Sequence, residues 1–268
     1  MEQSLVTHAA TLWPLAIDRI ATEHVLATLQ PIWLVKAETA SRVRGRIERI
    51  LDAARVKGLR SGENPAAWRG HLELLLPKQT QIKVKHHPAM PLDQLPGFMA
   101  DLASRPAVAA RALEFTILTA ARSGETRGMT WSEIDFDGQI WTVPAERMKA
   151  GLDHQVPLSD AVMAILKSVV PSDPRPEKIV FPAPRGGQMS DMALSALLKR
   201  MGRTNVTVHG FRSTFRDWAG EATDFSREDA EMALAHTIAS ATERAYRRGR
   251  ALEKRRAMMA AWATYCGR

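Results

Sequence analysis

Between Thr39 and Lys57 the apolar residues Val43, Ile47, Ile50, Leu51 and Ala54 return every three or four positions, while Arg42, Arg46 and Arg49 fall on another side. That is the period of an α-helix, so the stretch predicts a helix with one apolar and one basic face. Leu92 to Ala121 reads as two further helices. From Ser159 onward the pattern is helical again, with caps expected at Ser159, Ser190 and Ser240 and breaks at 171–184 and at Gly202. Only Glu133 to Val143 alternates with a period of two, around Asp137-Gly138, a pair suited to the left-handed backbone of a tight hairpin. A second turn follows at Gly151. The pattern therefore predicts a mainly α protein with a small antiparallel sheet, an α+β fold.

The same pattern suggests two domains. Residues 1–77 form a small helical unit that closes with Asn64-Pro65 and the apolar stretch Leu72 to Leu76 before Pro77. Residues 78–91 are polar, basic and punctuated by proline, the composition of an exposed linker. Residues 92–268 make the larger domain, and no fixed-period repeat or low-complexity tract interrupts it.

Composition adds limits more than identity. A chain of 268 residues with 45% hydrophobic content can bury one larger and one smaller core. No run approaches the ~18 apolar residues of a membrane span, and the N-terminus lacks the charged-then-apolar order of a signal peptide. Cys266 is the single cysteine, which excludes an intramolecular disulfide, argues against a cysteine-based metal cluster and fits a reducing cytoplasm. The net charge of +8 suits a polyanionic partner without deciding for one. Residues 241–268 hold eight Arg and Lys against two Glu, which a solvated helix face would explain equally well.

Several positions carry candidate chemistry. In Thr207-Val-His-Gly-Phe-Arg-Ser-Thr-Phe-Arg216 the residues Phe211, Phe215, Trp218 and Ala222 make an apolar stripe, and His209, Arg212 and Arg216 share a different face. His209 and Arg212 can thus meet one ligand, the arginine as a forked phosphate donor and the histidine as donor or proton carrier. Arg122 emerges at the end of an apolar helix, where a cation needs a partner, and Glu125 three residues on supplies a plain salt bridge. Lys149 stands between a strand and the turn at Gly151, the place of a mobile point charge or of an ordinary solubilising lysine. Finally, Ser240-Ala-Thr-Glu243 has the form of a capping box, starting a helix with Tyr246 in its second turn, ten residues after His236. Taken singly, each has a structural explanation.

Together, the ordered series Arg122, Lys149, His209-Gly-Phe-Arg212, His236 and Tyr246 resembles the catalytic set of the tyrosine recombinases, the phage integrase family. Ala121-Arg-Ser-Gly-Glu-Thr-Arg-Gly-Met-Thr-Trp131, Arg147-Met-Lys149, His154-Gln-Val-Pro-Leu-Ser159 and Ala245-Tyr-Arg-Arg248 are similar to words of its P4-like prophage integrase branch. So are Glu38-Thr-Ala-Ser-Arg42, Asn64-Pro-Ala-Ala-Trp68 and Leu252 to Trp262, so the likeness covers nearly the whole chain. Ala120 and Ala121 depart from it, because such enzymes often have a glycine before the first arginine. The other departure is at the front, where similar integrases carry a further domain, so the chain is expected to be an N-terminally truncated form.

The resemblance implies a site-specific DNA recombinase that works through a 3′-phosphotyrosyl intermediate without cofactor, metal ion or ATP. Tyr246 would be the nucleophile, Arg122 and Arg212 would clamp the non-bridging oxygens, and Lys149 would protonate the leaving 5′-oxygen. His209 would serve as general acid or base, His236 would donate to a phosphate oxygen, and Glu125 would support Arg122. Residues 1–77 would be a partial core-type DNA-binding domain, with Arg42, Arg46, Arg49 and the linker lysines Lys83 and Lys85 closing a C-shaped clamp on the duplex. The implied partners are double-stranded DNA attachment sites, a homotetramer on DNA that is a monomer when free, and accessory proteins that bend DNA or set direction. The alternatives are a truncated relative that binds DNA without completing strand exchange, a type IB topoisomerase-like relaxing enzyme, and a plain basic DNA-binding protein.

Overall fold

A computed structural model describes residues 3–79, 88–173, 175–236 and 248–268, the side chains of 248–251 excepted. The chain divides into two units, 1–85 and 86–268, each with its own apolar core.

The first unit contains helices α1 (Gln3–His8), α2 (Thr22–Trp33), α3 (Ala37–Val56) and the short α4 (Glu73–Leu75). The long helix is where the apolar period put it. Ala40, Val43, Ile47, Leu51 and Ala54 form its buried stripe, and the first four share one core with Val25, Leu29 and Trp33 of α2. Ile50 was expected on that stripe and is 47% exposed. A helix turns about 100° per residue, which leaves position 50 on the margin of the stripe, beside its polar flank. Asn64 ties the following turn to α3, its amide donating to the Glu48 carbonyl and to Asp52 Oδ1, both at 2.8 Å. Of the apolar stretch before Pro77, Leu72 and Leu76 are buried but Leu74 and Leu75 are exposed.

The second unit runs α5 (Leu95–Ala103), α6 (Val108–Leu118), α7 (Ser123–Arg127), β1 (Ile134–Asp135), β2 (Ile140–Val143) and β3 (His154–Pro157). It continues with α8 (Asp160–Val169), α9 (Ala193–Arg200), α10 (Gly210–Glu221), α11 (Arg227–Ala233) and α12 (Arg248–Tyr265). The strands form an antiparallel sheet in the order β1-β2-β3, with Ile134 opposite Trp141 and Val143 opposite His154. The first hairpin turns where Asp137-Gly138 predicted, closed by the Gly138 amide donating to Asp135 Oδ1 at 2.8 Å, but the left-handed residue is Gln139, φ 50°, and not the Asp-Gly pair.

Helix α6 is buried along its whole second half, Ala112 to Leu118, and so forms the axis of the core. Its Phe115 meets Trp141 of the sheet and Phe181. Helix α12 closes the other side: Met258, Met259, Trp262, Ala263 and Cys266 are buried, and Trp262 Nε1 donates to the Ile117 carbonyl at 2.9 Å. The basic tail is therefore more than a solvated face. Arg255 is buried and donates to the Gln155 carbonyl at 2.7 Å, and Arg256 to that of Gly138 at 3.1 Å, so two of its cations hold the sheet.

The cap assignments fared unevenly. Ser159 does precede α8, but its buried hydroxyl has no hydrogen bond among the described residues. Ser190 lies upstream of the true boundary, since α9 starts at Ala193 behind Met192. Ser240 lies outside the described residues. The working cap is Ser226, whose Oγ accepts from the Asp229 amide at 3.1 Å. Ala222, assigned to the apolar stripe of α10, is exposed because the helix ends at Glu221. Among the described residues, no helix is long and apolar enough to cross a membrane.

Candidate active site

The site begins where α6 stops. Ala120 takes a left-handed backbone, φ 50°, and turns the chain so that Arg122 precedes α7. The Glu125 carboxylate then serves both ends of that arginine: Oε2 accepts from the Arg122 amide at 2.8 Å and Oε1 from its guanidinium at 2.7 Å. Glu125 is buried and Arg122 keeps 29% of its side chain exposed, so the pair fixes a cation at the protein surface.

The second arginine comes from α10. His209 is the residue just before the helix and is exposed, and Gly210 follows for a steric reason. A β-carbon at 210 would lie 2.0 Å from the Pro88 carbonyl oxygen, the oxygen that accepts from the Thr207 amide at 3.1 Å. One turn on, Arg212 is 5% exposed. Its Nη1 donates to the Ala120 carbonyl and its Nη2 to the Leu234 carbonyl, each at 2.5 Å, and Nη2 lies 3.3 Å from His236 Nε2. Its Nε has no hydrogen bond among the described residues. Burial lowers the Arg212 pKa to about 10, and the Arg122 guanidinium pushes the same way. Arg212 is still a cation at neutral pH, held near a second cation that repels it.

His236 completes the cluster. Its Nδ1 lies 2.5 Å from Glu231 Oε2, and Glu231 Oε1 is 2.9 Å from Arg216 Nε. With Nδ1 donating to the carboxylate, Nε2 is the nitrogen turned to the arginine. Ala235, φ 49°, repeats the left-handed turn of Ala120, and its carbonyl accepts from Arg122 Nη2 at 3.5 Å. Left-handed backbone costs an L-residue about 1–2 kcal/mol. Two such alanines within one set of arginine contacts mark where the chain stores strain to aim carbonyls.

Lys149 lies on the exposed turn between β2 and β3 and has no hydrogen bond or ion pair among the described residues. Two residues earlier, Arg147 is engaged through both terminal nitrogens. Its Nη2 donates to Glu133 Oε2 at 2.5 Å and its Nη1 to the backbone carbonyl of Glu125 at 3.1 Å. Glu133 Oε2 also accepts from Trp141 Nε1 at 2.9 Å.

The structure thus brings Arg122, Glu125, Arg212 and His236 together, sets His209 one turn before Arg212, and leaves Lys149 on the neighbouring loop. Tyr246, Lys83 and Lys85 lie outside the described residues. On α3, Arg42 and Arg49 are exposed, whereas Arg46 is half-buried and donates to Ser4 Oγ. Arg42 is also paired with Glu38.

Residue patterns missed the supports. Glu231 and Arg147 act through contacts that no spacing rule marks. His154, at the start of β3, has its pKa lowered to about 4, chiefly by burial and then by Arg255, against the raising effect of Glu125 and of a hydrogen bond to the Ala233 backbone. It is a neutral imidazole beside the cluster.

Two forked cations, an imidazole and a mobile amine in one region suit a phosphodiester, whose charge they can meet without competing carboxylates, since Glu125 and Glu231 are already engaged. Comparison with known proteins points the same way. Residues 89–252 match the phage integrase family and residues 1–71 the phage integrase central domain. The chain is 32% identical to the integrase of Enterobacteria phage P4 and 33% identical to the prophage integrase IntA of Escherichia coli K12, each match covering 93% of this chain and 60% of the relative. It spans about 60% of the length of these curated relatives. Among solved structures it resembles a lambda integrase dimer on a core site, with a TM-score of 0.62 at 19% identity over 89% of both chains. It also resembles the Tn1549 transposon integrase in complex with circular intermediate DNA, with a TM-score of 0.61 at 14% identity, covering 92% of this chain and 91% of that one.

Proposed function

This chain belongs to the phage integrase family, and on that premise we propose that it is a site-specific DNA recombinase that cuts and rejoins strands through a tyrosine. The observation that carries the reading is the Arg122–Arg212–His236 cluster, in which, among the described residues, every arginine side-chain contact is made to a neutral carbonyl, the imidazole or the single carboxylate of Glu125. Two neighbouring cations gain most from an anion placed before both, and more so as negative charge accumulates on phosphate oxygens in the transition state.

In this reading the Tyr246 oxygen attacks the scissile phosphorus and gives up its proton to His209. The P–O5′ bond breaks, its electron pair leaves on O5′, and Lys149 protonates that oxygen. Arg122 and Arg212 hold the non-bridging oxygens, and His236, protonated on both nitrogens with Nδ1 on Glu231, turns from Arg212 to donate from Nε2 to one of them. The 3′-phosphotyrosyl bond conserves the energy of the phosphodiester, so a 5′-hydroxyl from another strand can reverse the step. Strand exchange requires several copies on DNA, as in the lambda integrase tetramer bound to a Holliday junction. The same assembly is proposed here, with attachment-site duplexes as partners, accessory proteins that bend DNA or set direction, and the cytoplasm as the place of action. Residues 1–77 would contribute duplex contacts through the exposed Arg42 and Arg49, with Arg46, Lys83 and Lys85 as further candidates.

The test is a nicked suicide duplex carrying an attachment site, incubated with the protein and resolved on a denaturing gel. The expected result is a covalent protein–DNA adduct that is lost in Tyr246→Phe. Salt-sensitive binding with no adduct would overturn the catalytic reading. Relaxation of supercoiled DNA without recombinant product would replace it with a topoisomerase.

A further inference from the structure

The turn that carries Lys149 is held at its base by Met148, buried in the core, and is tied to the helix that carries Glu125 by the side chain of Arg147. Arg147 reaches from the β2–β3 connection in two directions, to Glu133 Oε2 at 2.5 Å and to the backbone carbonyl of Glu125 at 3.1 Å. Glu133 is itself fixed, accepting from Trp141 Nε1 at 2.9 Å, so the anchor belongs to the sheet. The other anchor belongs to α7, because the residue whose carbonyl receives Arg147 is the one whose carboxylate holds Arg122 at 2.7 Å. Glu125 therefore touches the first arginine with its side chain and the lysine loop with its backbone. The path of Arg147 is a tight one. A β-carbon on Gly128 would sit 2.5 Å from Arg147 Nη1, the nitrogen that reaches α7. Gly128 has an ordinary φ of −96°, so its backbone does not call for glycine and the passage of the guanidinium does.

We propose that Arg147 is a positioning residue for strand cleavage. It sets the base of the β2–β3 loop against α7, so that the Lys149 ammonium reaches the leaving O5′ of the phosphodiester whose non-bridging oxygens Arg122 holds. The inference rests on the recombinase reading. In the step it serves, the P–O5′ bond breaks, O5′ takes the electron pair, and the proton comes from Lys149. A lysine on a free loop would have to find that oxygen by search, whereas a loop pinned two residues away confines the amine to a small volume. A guanidinium suits the task better than an ammonium because its fork binds a carboxylate and a carbonyl at fixed angles.

The test uses two attachment-site substrates that differ in one atom, an ordinary 5′-oxygen or a bridging 5′-sulfur at the scissile phosphate. A thiolate leaves without being protonated, so the sulfur substrate needs no acid. Wild-type adduct that disappears in Tyr246→Phe on both substrates establishes cleavage by the tyrosine first; its absence defeats the recombinase reading and this inference together. On oxygen, Lys149→Ala and Arg147→Ala should each lose about 10²-fold or more in adduct formation, the usual share of a general acid. On sulfur both should return to within about 10-fold of wild type, while Arg122→Ala stays defective on either substrate. Arg147→Lys should recover only part of the oxygen activity. Gly128→Ala, which displaces the guanidinium and keeps its charge, should follow Arg147→Ala and covers the case in which the latter fails to fold. Equal losses on oxygen and sulfur for Arg147→Ala and Gly128→Ala, or no sulfur rescue of Lys149→Ala, would overturn the inference while Tyr246 chemistry stands.

Discussion

Arg212 and Lys149 are two cations assigned to the same phosphodiester, and the chain treats them in opposite ways. Arg212 is 5% exposed and gives its hydrogen bonds to the carbonyls of Ala120 and Leu234. Lys149 is exposed and has no hydrogen bond or ion pair among the described residues. The difference follows from the work each would do. A cation that stabilises charge on a phosphate is most useful when its desolvation and orientation costs are met before the reaction, because nothing then has to reorganise. A proton donor must move, so it is better left in water at the end of a flexible stem, with only its loop held in place. Stability and catalysis should therefore be coupled at Arg212 and separable at Lys149.

Removing Arg212 is the sharpest way to break this contrast. Arg212→Ala should reduce adduct formation on the order of 10³-fold. It should also lower unfolding stability by roughly 2 kcal/mol, because two buried carbonyls lose their donors. Denaturant unfolding and single-turnover cleavage, measured on the same preparation, check the pair. An inactive variant of unchanged stability would mean that the carbonyl contacts do not contribute to the fold.

Lys149→Ala is the complementary experiment. Cleavage of an ordinary oxygen substrate should fall about 10²-fold to 10³-fold. Stability should stay within about 0.5 kcal/mol of wild type, the range for a surface substitution. A shift in unfolding larger than that would show the Lys149 side chain to be part of the packed structure, as Arg212 is.

The ordered motif singled out Arg122, Arg212 and His236, which the structure brings together, and the helical and hairpin periods placed α3, α6 and the first turn. What stayed hidden has a common cause. Arg255 reaches Gln155 across 100 positions and Trp262 reaches Ile117 across 145, so periodicity around either residue reports only a helix. A run of basic residues thus reads as a solvated face even though two of its arginines hold the sheet. Glu231 and Arg147 escaped for the same reason, since their partners lie on other elements. Ile50 and Ala222 failed on finer grounds, one at the margin of a stripe and the other one residue past the end of its helix.

His154 joins the two regions, lying on the sheet with Lys149's loop and within the influence of Glu125, Arg212 and Arg255, and so offers a third test. Its pKa falls from 6.5 to about 4 on folding. The unfolded chain therefore takes up a proton near pH 6.5 that the folded chain refuses until about pH 4. The stability due to the neutral imidazole is complete above pH 6.5 and declines as pH falls through that window. At about 1.4 kcal/mol per pH unit the loss is at most roughly 3 kcal/mol by the lower end. His154→Gln should flatten the stability profile over this range relative to wild type, as measured by unfolding at stepped pH. Parallel profiles would assign the acid sensitivity to the carboxylates instead.

The smallest expected effect lies in the backbone that aims the carbonyls at Arg212 and Arg122. Ala120 and Ala235 sit at φ 50° and 49°, where an L-residue is strained and glycine is not. Ala120→Gly should relieve about 1 kcal/mol of that strain, less the extra freedom glycine gives the unfolded chain, for a net gain of at most ~1 kcal/mol. Cleavage should not change, because the Ala120 carbonyl keeps its place on Arg212 Nη1. A loss of cleavage with a gain in stability would be more informative than the expected result. It would mean that the alanine methyl group restrains the turn, and that the strain helps keep the Arg212 side rigid while the Lys149 side is left to move.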